Sequence, residues 1–178
     1  MRILVVGMGL IGGSICKSIK AATSHAVYGC DVQQAVLDDA IADGAIDGTG
    51  TMTDGTYDMI ILCLHQRIAI QMVQEALPKI PAGTILVDTC GLKGRMVRDL
   101  TYRCRKADVR YVGTHPMAGR EKNGYYASIP NLFQNANLIA TPVDGPDEAA
   151  LDPVQEPADQ MGLDIGPETA KAYADALA

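Results

Sequence analysis

Short aliphatic runs recur along the chain with a helix-spaced segment after each one, and this alternation restricts the fold more than any other feature. RILVV at 2–6, AVYGCD at 26–31, MIILCL at 59–64, GTILVD at 83–88 and VRYVG at 109–113 lack the polar-apolar alternation of a surface strand. They predict strands buried on both faces. Residues 10–22 place Leu10, Ile11, Ser14, Ile15, Ser18 and Ile19 at helical spacing. Further helices are predicted from Asp31 to Ile41, stopped by Gly44, from Arg67 to Leu77, ended by Pro78, and over 94–106. A helix that returns the chain after every strand forces parallel pairing with right-handed crossovers. The expectation is a doubly wound, Rossmann-type α/β fold with a mostly parallel sheet.

Beyond residue 113 the pattern loosens. Residues 114–130 form a polar, Gly-rich loop, ANLIATP at 136–142 is a sixth strand, and MGLDIG at 161–166 adds an edge strand before a short Ala-rich helix. Pro153 and Pro157 remove donors from the helix expected over 147–161, so it should be broken or poorly ordered. With 178 residues and about 100 to 200 residues per domain, one domain over 1–166 is expected, followed by a short further segment, 167–178.

Charge and cysteine usage exclude several classes of function. Fifteen Lys and Arg against 21 Asp and Glu leave a net charge of -6, with the signs mixed along the chain, so no nucleic-acid partner is expected. The basic cluster from Arg103 to Lys106 reads as a solvated helix end. Five cysteines stand far apart without a C-x-x-C pair or a histidine at ligand spacing, which disfavours a metal site or a disulfide framework. The opening apolar stretch is cut by Gly7, Gly9, Gly12 and Gly13; with no signal peptide and no membrane-length run, a cytoplasmic protein without a membrane partner is expected.

GMGLIG at 7–12 has the form G-x-G-x-x-G between a predicted strand and a predicted helix, the context that makes this pattern informative. Gly7 allows the tight turn, Gly9 lets backbone approach a pyrophosphate, and Gly12 lets the helix pack close. The helix N-terminus, with Leu10 and Ile11, offers N–H groups and a positive dipole end to the phosphates. Asp31, about 20 residues further on at the end of the second strand, can accept hydrogen bonds from the adenosine ribose hydroxyls. It would repel a 2'-phosphate, and Val32, Gln33 and Gln34 supply no cation to pair with one, so NAD is expected rather than NADP. Asp31 can equally cap the following helix.

THPMAGREKNGYYASIPNLF, from Thr114 to Phe133, gathers His115, Arg120, Glu121, Lys122 and Asn123 in a loop at the carboxyl edge of the sheet, where open α/β sheets bind ligands. A histidine there can accept a hydroxyl proton as hydride leaves the same carbon, since its unperturbed pKa of about 6.5 leaves it mostly neutral at pH 7. It can also be a loop residue that caps backbone.

Through GMGLIG, DTCGLKG at 88–94, GTHPMAGREKNG at 113–124 and the later NLF and ATP, residues 1–142 closely resemble the prephenate and arogenate dehydrogenase family of tyrosine biosynthesis. The resemblance implies that His115 hydrogen-bonds the ring 4-hydroxyl of the substrate and assists its oxidation. NAD would accept hydride from C4, carbon dioxide would leave from C1, and 4-hydroxyphenylpyruvate would result. It places Cys63, Leu64, His65 and Gly91 beside the cofactor, and Glu121, Lys93 and Lys122 near the substrate. Two departures stand out. Many members carry Ser where this chain has Gly91, so any such contact must come from Thr89, Cys90 or backbone; many carry Pro where His65 stands. The family's helical dimerisation domain, which supplies an Arg for the substrate carboxylate and makes members homodimers, is expected to be absent or truncated here, with 167–178 as its start. Prephenate and arogenate are not distinguished by any residue of the sequence. A nucleotide-binding module without turnover, or another nicotinamide-dependent hydroxyacid dehydrogenase, would share the glycines and Asp31.

Overall fold

The computed structural model describes residues 1–55, 57–141 and 151–165. Strand β1 (Arg2–Val6) leads into α1 (Leu10–Ala22), and β2 (Ala26–Cys30) into α2 (Gln34–Ala42). A two-residue strand β3 (Gly48–Thr49) follows, then β4 (Met59–Leu62), α3 (Gln66–Ala76), β5 (Ile85–Asp88), α4 (Gly94–Lys106) and β6 (Arg110–Pro116). The described residues end with β7 (Ala136–Thr141), α5 (Leu151–Gln160) and β8 (Leu163–Asp164).

The strands form one sheet in the order β3-β2-β1-β4-β5-β6-β7-β8, all neighbours parallel except β6 and β7. The order reverses direction between β1 and β4, and the crevice beyond their carboxyl ends is where such sheets bind ligands. Side chains alternate across the sheet. Ile3, Val5, Ile61, Val87 and Val112 pack on one face with Ile15 and Ile19 of α1 and Val154 and Ala158 of α5. Leu4, Val6, Ile60, Leu62 and Leu86 pack on the other with Val73 of α3 and Leu100 of α4. Burial on both faces is why these runs carry no polar alternation.

Several expectations change. The chain predicted as loop from Thr114 continues β6 through Pro116, because the antiparallel partner β7 pairs Thr114 with Ala140 and His115 with Ile139; His115 is therefore a strand residue. Helix α2 begins at Gln34 rather than Asp31, whose carboxylate accepts the Gln33 N–H and holds an extended turn before the helix. Helix α3 stops at Ala76 and tightens into a 3-10 turn, Leu77–Lys79, that accommodates Pro78. The helix expected to break runs from Leu151 through Gln160. Pro153 falls in its first turn, where N–H groups lack intrahelical partners anyway, and the ring of Pro157 is buried with Val154 and Ala158, so packing outweighs the lost bond. The remainder of that prediction at 147–150, and the Ala-rich helix after 166, lie outside the described residues. The basic cluster at Arg103 to Lys106 does close α4, where cations favour the negative helix end.

The segment between β6 and β7 straps itself across α1 and α2. Ser14 Oγ accepts the Ile129 N–H at 3.0 Å, and Ser18 Oγ donates to the Pro130 carbonyl at 2.7 Å. The Tyr125 and Tyr126 hydroxyls donate to Asp43 and Asp39 at 2.9 and 2.6 Å. A Cβ at Gly13 would stand 2.8 Å from Ser128 Oγ, so only glycine admits this approach. The two serines within the apolar stripe of α1 are thus the strap's anchors. Ser18→Ala leaves a carbonyl unsatisfied and lowers the unfolding free energy by about 1–2 kcal/mol, read from the urea midpoint.

Candidate nucleotide and proton-transfer site

The glycine turn sits between the ends of β1 and β4. Gly7 has φ +94, a left-handed conformation, and a Cβ on it would lie 2.5 Å from the Cys63 carbonyl oxygen and 2.8 Å from Leu64 Cδ2. A Cβ on Gly12 would lie 1.9 Å from the Gly7 carbonyl oxygen, so these two glycines are demanded by the turn itself. Gly9 is different: nothing lies within 4 Å of where its Cβ would be. Its openness leaves room for a ligand over the turn rather than for protein packing. Helix α1 starts at Leu10 with no side-chain cap and no acidic residue in its first turn, so Gly9, Leu10, Ile11 and Gly12 present a positive helix end to the crevice.

Asp31 closes this arrangement from β2. Its Oδ2 accepts the Met8 N–H at 2.7 Å and its Oδ1 accepts the Gln33 N–H at 2.9 Å, so the carboxylate is fixed against the turn while half-buried. Each oxygen keeps a lone pair for a further donor. The expected helix-cap role is not seen, since Gln33 is the N-cap of α2 and no side chain caps it; the contacts to Met8 and Gln33 fix the carboxylate ahead of the helix instead. Cys63 and Leu64 form the opposite wall; burial pushes the Cys63 thiol up to about 12, which leaves it neutral. His65 occupies the N-cap position of α3 and is exposed to solvent at the rim.

Further along the same edge, His115 stands half-buried near the end of β6, and the Gly91 Cβ position lies 3.2 Å from its Cε1. Burial, then the Lys93 ammonium, lowers the His115 pKa below the usual histidine value, so the imidazole is neutral at pH 7 and able to accept a proton. Thr89 and Cys90 turn their donors to the Leu62 and Leu64 carbonyls. Lys93, which the resemblance puts near the substrate, is 2% exposed and its Nζ bonds Asp88 Oδ1. Asp88, fully buried, also accepts the Tyr111 hydroxyl at 2.6 Å and the Cys90 N–H at 2.8 Å, while its carbonyl accepts the Thr114 hydroxyl at 2.6 Å. Sequence reasoning missed Asp88, Tyr111 and Thr114; an acid ending an otherwise apolar strand, ILVD, was the available signal. Glu121 and Lys122 are exposed on the strap, away from this network, while Arg120 donates to the Ala127 carbonyl at 2.9 Å and shapes the strap.

Doubly wound sheet, left-handed glycine turn at the switch point and turn-bound carboxylate together define a nucleotide-binding α/β domain. The family described as prephenate dehydrogenase, nucleotide-binding domain, matches residues 15–165, and the chain belongs to that family. The glycine turn precedes the matched range and stands on its own geometry. A prephenate dehydrogenase from Lactococcus lactis subsp. cremoris is 31% identical over 144 residues, 79% of this chain and 40% of that relative. The chain thus spans less than half the length of that curated relative. Among solved structures, prephenate dehydrogenase from A. aeolicus in complex with hydroxyphenyl propionate and NAD+ superposes with a TM-score of 0.87 at 27% identity, covering 97% of this chain and 62% of that one. Synechocystis arogenate dehydrogenase superposes with a TM-score of 0.89 at 24% identity over 99% of this chain and 63% of that one, a likeness of fold. Among the described residues, no helix is long and apolar enough to cross a membrane.

Proposed function

We propose that the protein oxidatively decarboxylates prephenate to 4-hydroxyphenylpyruvate with NAD, residues 1–166 forming the dinucleotide-binding unit of a cytoplasmic homodimeric enzyme. The observation that carries this reading is the half-buried His115 held neutral at the sheet's carboxyl edge, in a chain whose family is the prephenate dehydrogenases. The open space over Gly9, the uncapped start of α1 and the fixed Asp31 carboxylate fit a dinucleotide. Backbone N–H groups of the turn and of α1 would hold the pyrophosphate, and Asp31 would accept from the adenosine ribose hydroxyls. Bound there, NAD supplies the hydride acceptor. His115 accepts the proton of the C4 hydroxyl, and loss of carbon dioxide from C1 makes the ring aromatic and the reaction effectively irreversible. Glu121 and Lys122, exposed on the strap, would meet substrate rather than cofactor.

NADH formation followed by absorbance, with prephenate and with arogenate in parallel, tests the reaction. NADH formation with prephenate is expected; NADH from arogenate alone, or from neither substrate, contradicts the reading. Cofactor choice is tested separately by calorimetry. NAD binds at least about tenfold more tightly than NADP, and Asp31→Ala removes that preference, because a carboxylate facing the 2' position repels a phosphate. Equal binding of both cofactors by the unaltered protein contradicts the role of Asp31.

A further inference from the structure

Lys93 and Asp88 form a buried ion pair, with side chains 3% and 0% exposed. Such pairs contribute little net stability, because desolvating two charges offsets their attraction, so the surroundings must say what this one does. Side chains alternate along a strand; Tyr111, Gly113 and His115 therefore project from one face of β6. Asp88 shares that face, since it is in register with Gly113. Gly113 leaves a gap in the row: a Cβ there would lie 3.3 Å from Lys93 Cδ and 3.2 Å from the Tyr111 hydroxyl. Thr141, whose Oγ1 would lie 2.6 Å from that Cβ, shares the gap with the Tyr111 hydroxyl and the Lys93 stem, next to His115 in the row. A Cβ on Gly91 would lie 3.2 Å from the imidazole Cε1, so the backbone at 91 runs close to the ring. Residues 88–93 thus run close to the histidine and set a fixed cation near it. That cation cannot swing out to a substrate carboxylate, because its Nζ bonds Asp88, whose oxygens are fastened by Tyr111 and the Cys90 N–H.

We propose that Lys93, anchored by Asp88, is a positioning residue whose fixed charge keeps the His115 imidazole in its neutral, proton-accepting form. This rests on the reading of His115 as the proton acceptor and moves Lys93 from the substrate to the support of the histidine. A neighbouring ammonium disfavours imidazolium. The carboxylate of Asp88 acts in the opposite sense with the smaller effect, and Tyr111 and Cys90, both pushed upward first by burial, stay neutral beside the pair. Removing the cation must therefore make His115 easier to protonate.

The test is an NMR titration of the imidazoles, with the His115 signal identified by its loss in His115→Asn. Lys93→Met moves the His115 midpoint to higher pH, and Lys93→Arg, which keeps the cation, leaves it near its original place. Asp88→Asn combined with Lys93→Met leaves no unpaired buried charge, so it keeps the test available if the single variant does not fold; its midpoint also moves up, by less. In the active protein the ratio of kcat/KM at pH 8 to that at pH 6 rises about three- to tenfold in Lys93→Met. A midpoint that stays put or falls in the charge-removing variants, or an Arg variant that behaves like Met, overturns the proposal. The titration reads His115 whatever substrate the protein oxidises, so a failure of the assigned reaction and a failure of the Lys93 role give separate results.

Discussion

His115→Asn lowers turnover by about two to four orders of magnitude while the affinity for NAD changes little, the pattern expected when a general base is lost. Asparagine keeps a hydrogen-bonding group at the end of β6 and removes only the capacity to take up a proton. The glycine turn between β1 and α1, and Asp31 just past β2, are untouched by the change. In the unaltered protein, activity should fall on the acid side only below the ordinary histidine range, since burial and then Lys93 hold the His115 pKa down. The sign follows directly: the neutral imidazole is the active form, and a lowered pKa keeps it neutral to lower pH. Steady-state kinetics across pH check both parts. Near-normal turnover in His115→Asn would make His115 a structural strand residue.

Gly12→Ala and Gly9→Ala separate what the turn needs for folding from what it needs for binding. An alanine methyl at 12 would sit 1.9 Å from the Gly7 carbonyl oxygen, a backbone atom that cannot rotate away. Either α1 moves off the sheet or the turn opens, at a cost of about 3 kcal/mol, with dinucleotide binding lost as well. At Gly9 the methyl meets nothing within 4 Å, so stability changes by about 1 kcal/mol or less. Binding of NAD nevertheless falls about tenfold or more, because the methyl occupies the space the pyrophosphate requires. Thermal unfolding and calorimetry on the same two variants give the comparison. Equal thermal losses would contradict the geometry of the turn, and unimpaired NAD binding by Gly9→Ala would place the cofactor elsewhere.

The parts of this molecule set by local pattern were legible in the residues. The strands that end at Val6, Cys30, Leu62 and Asp88, the helix over Leu10–Ala22 and the glycine turn all follow from apolar runs, helical spacing and glycines close in sequence. Features that depend on distant partners were not. Strand β3 is two residues long and exists because Tyr28 and Gly29 lie alongside it. His115 looked like a loop residue because the partner that makes it a strand, Ile139, comes 24 positions later. Ser14 and Ser18 looked like polar interruptions in a buried stripe until the strap at 129–130 met them. Lys93 carried no sign of burial: five positions from Asp88 in a Gly-rich stretch, it pairs inward because Gly113 leaves room for its stem. Pro157 signalled a broken helix, and burial beside Val154 and Ala158 decided otherwise.

A crystal structure of the protein with NAD tests the account most directly. It should show the pyrophosphate over Gly9 at the start of α1, the adenosine ribose hydroxyls donating to Asp31, and the nicotinamide end directed along the sheet edge toward His115. NAD seated instead in the groove between α3 and α4, lined by Arg98, Arg103 and Lys106, or a bound NAD that leaves Asp31 without a ribose contact, would contradict it.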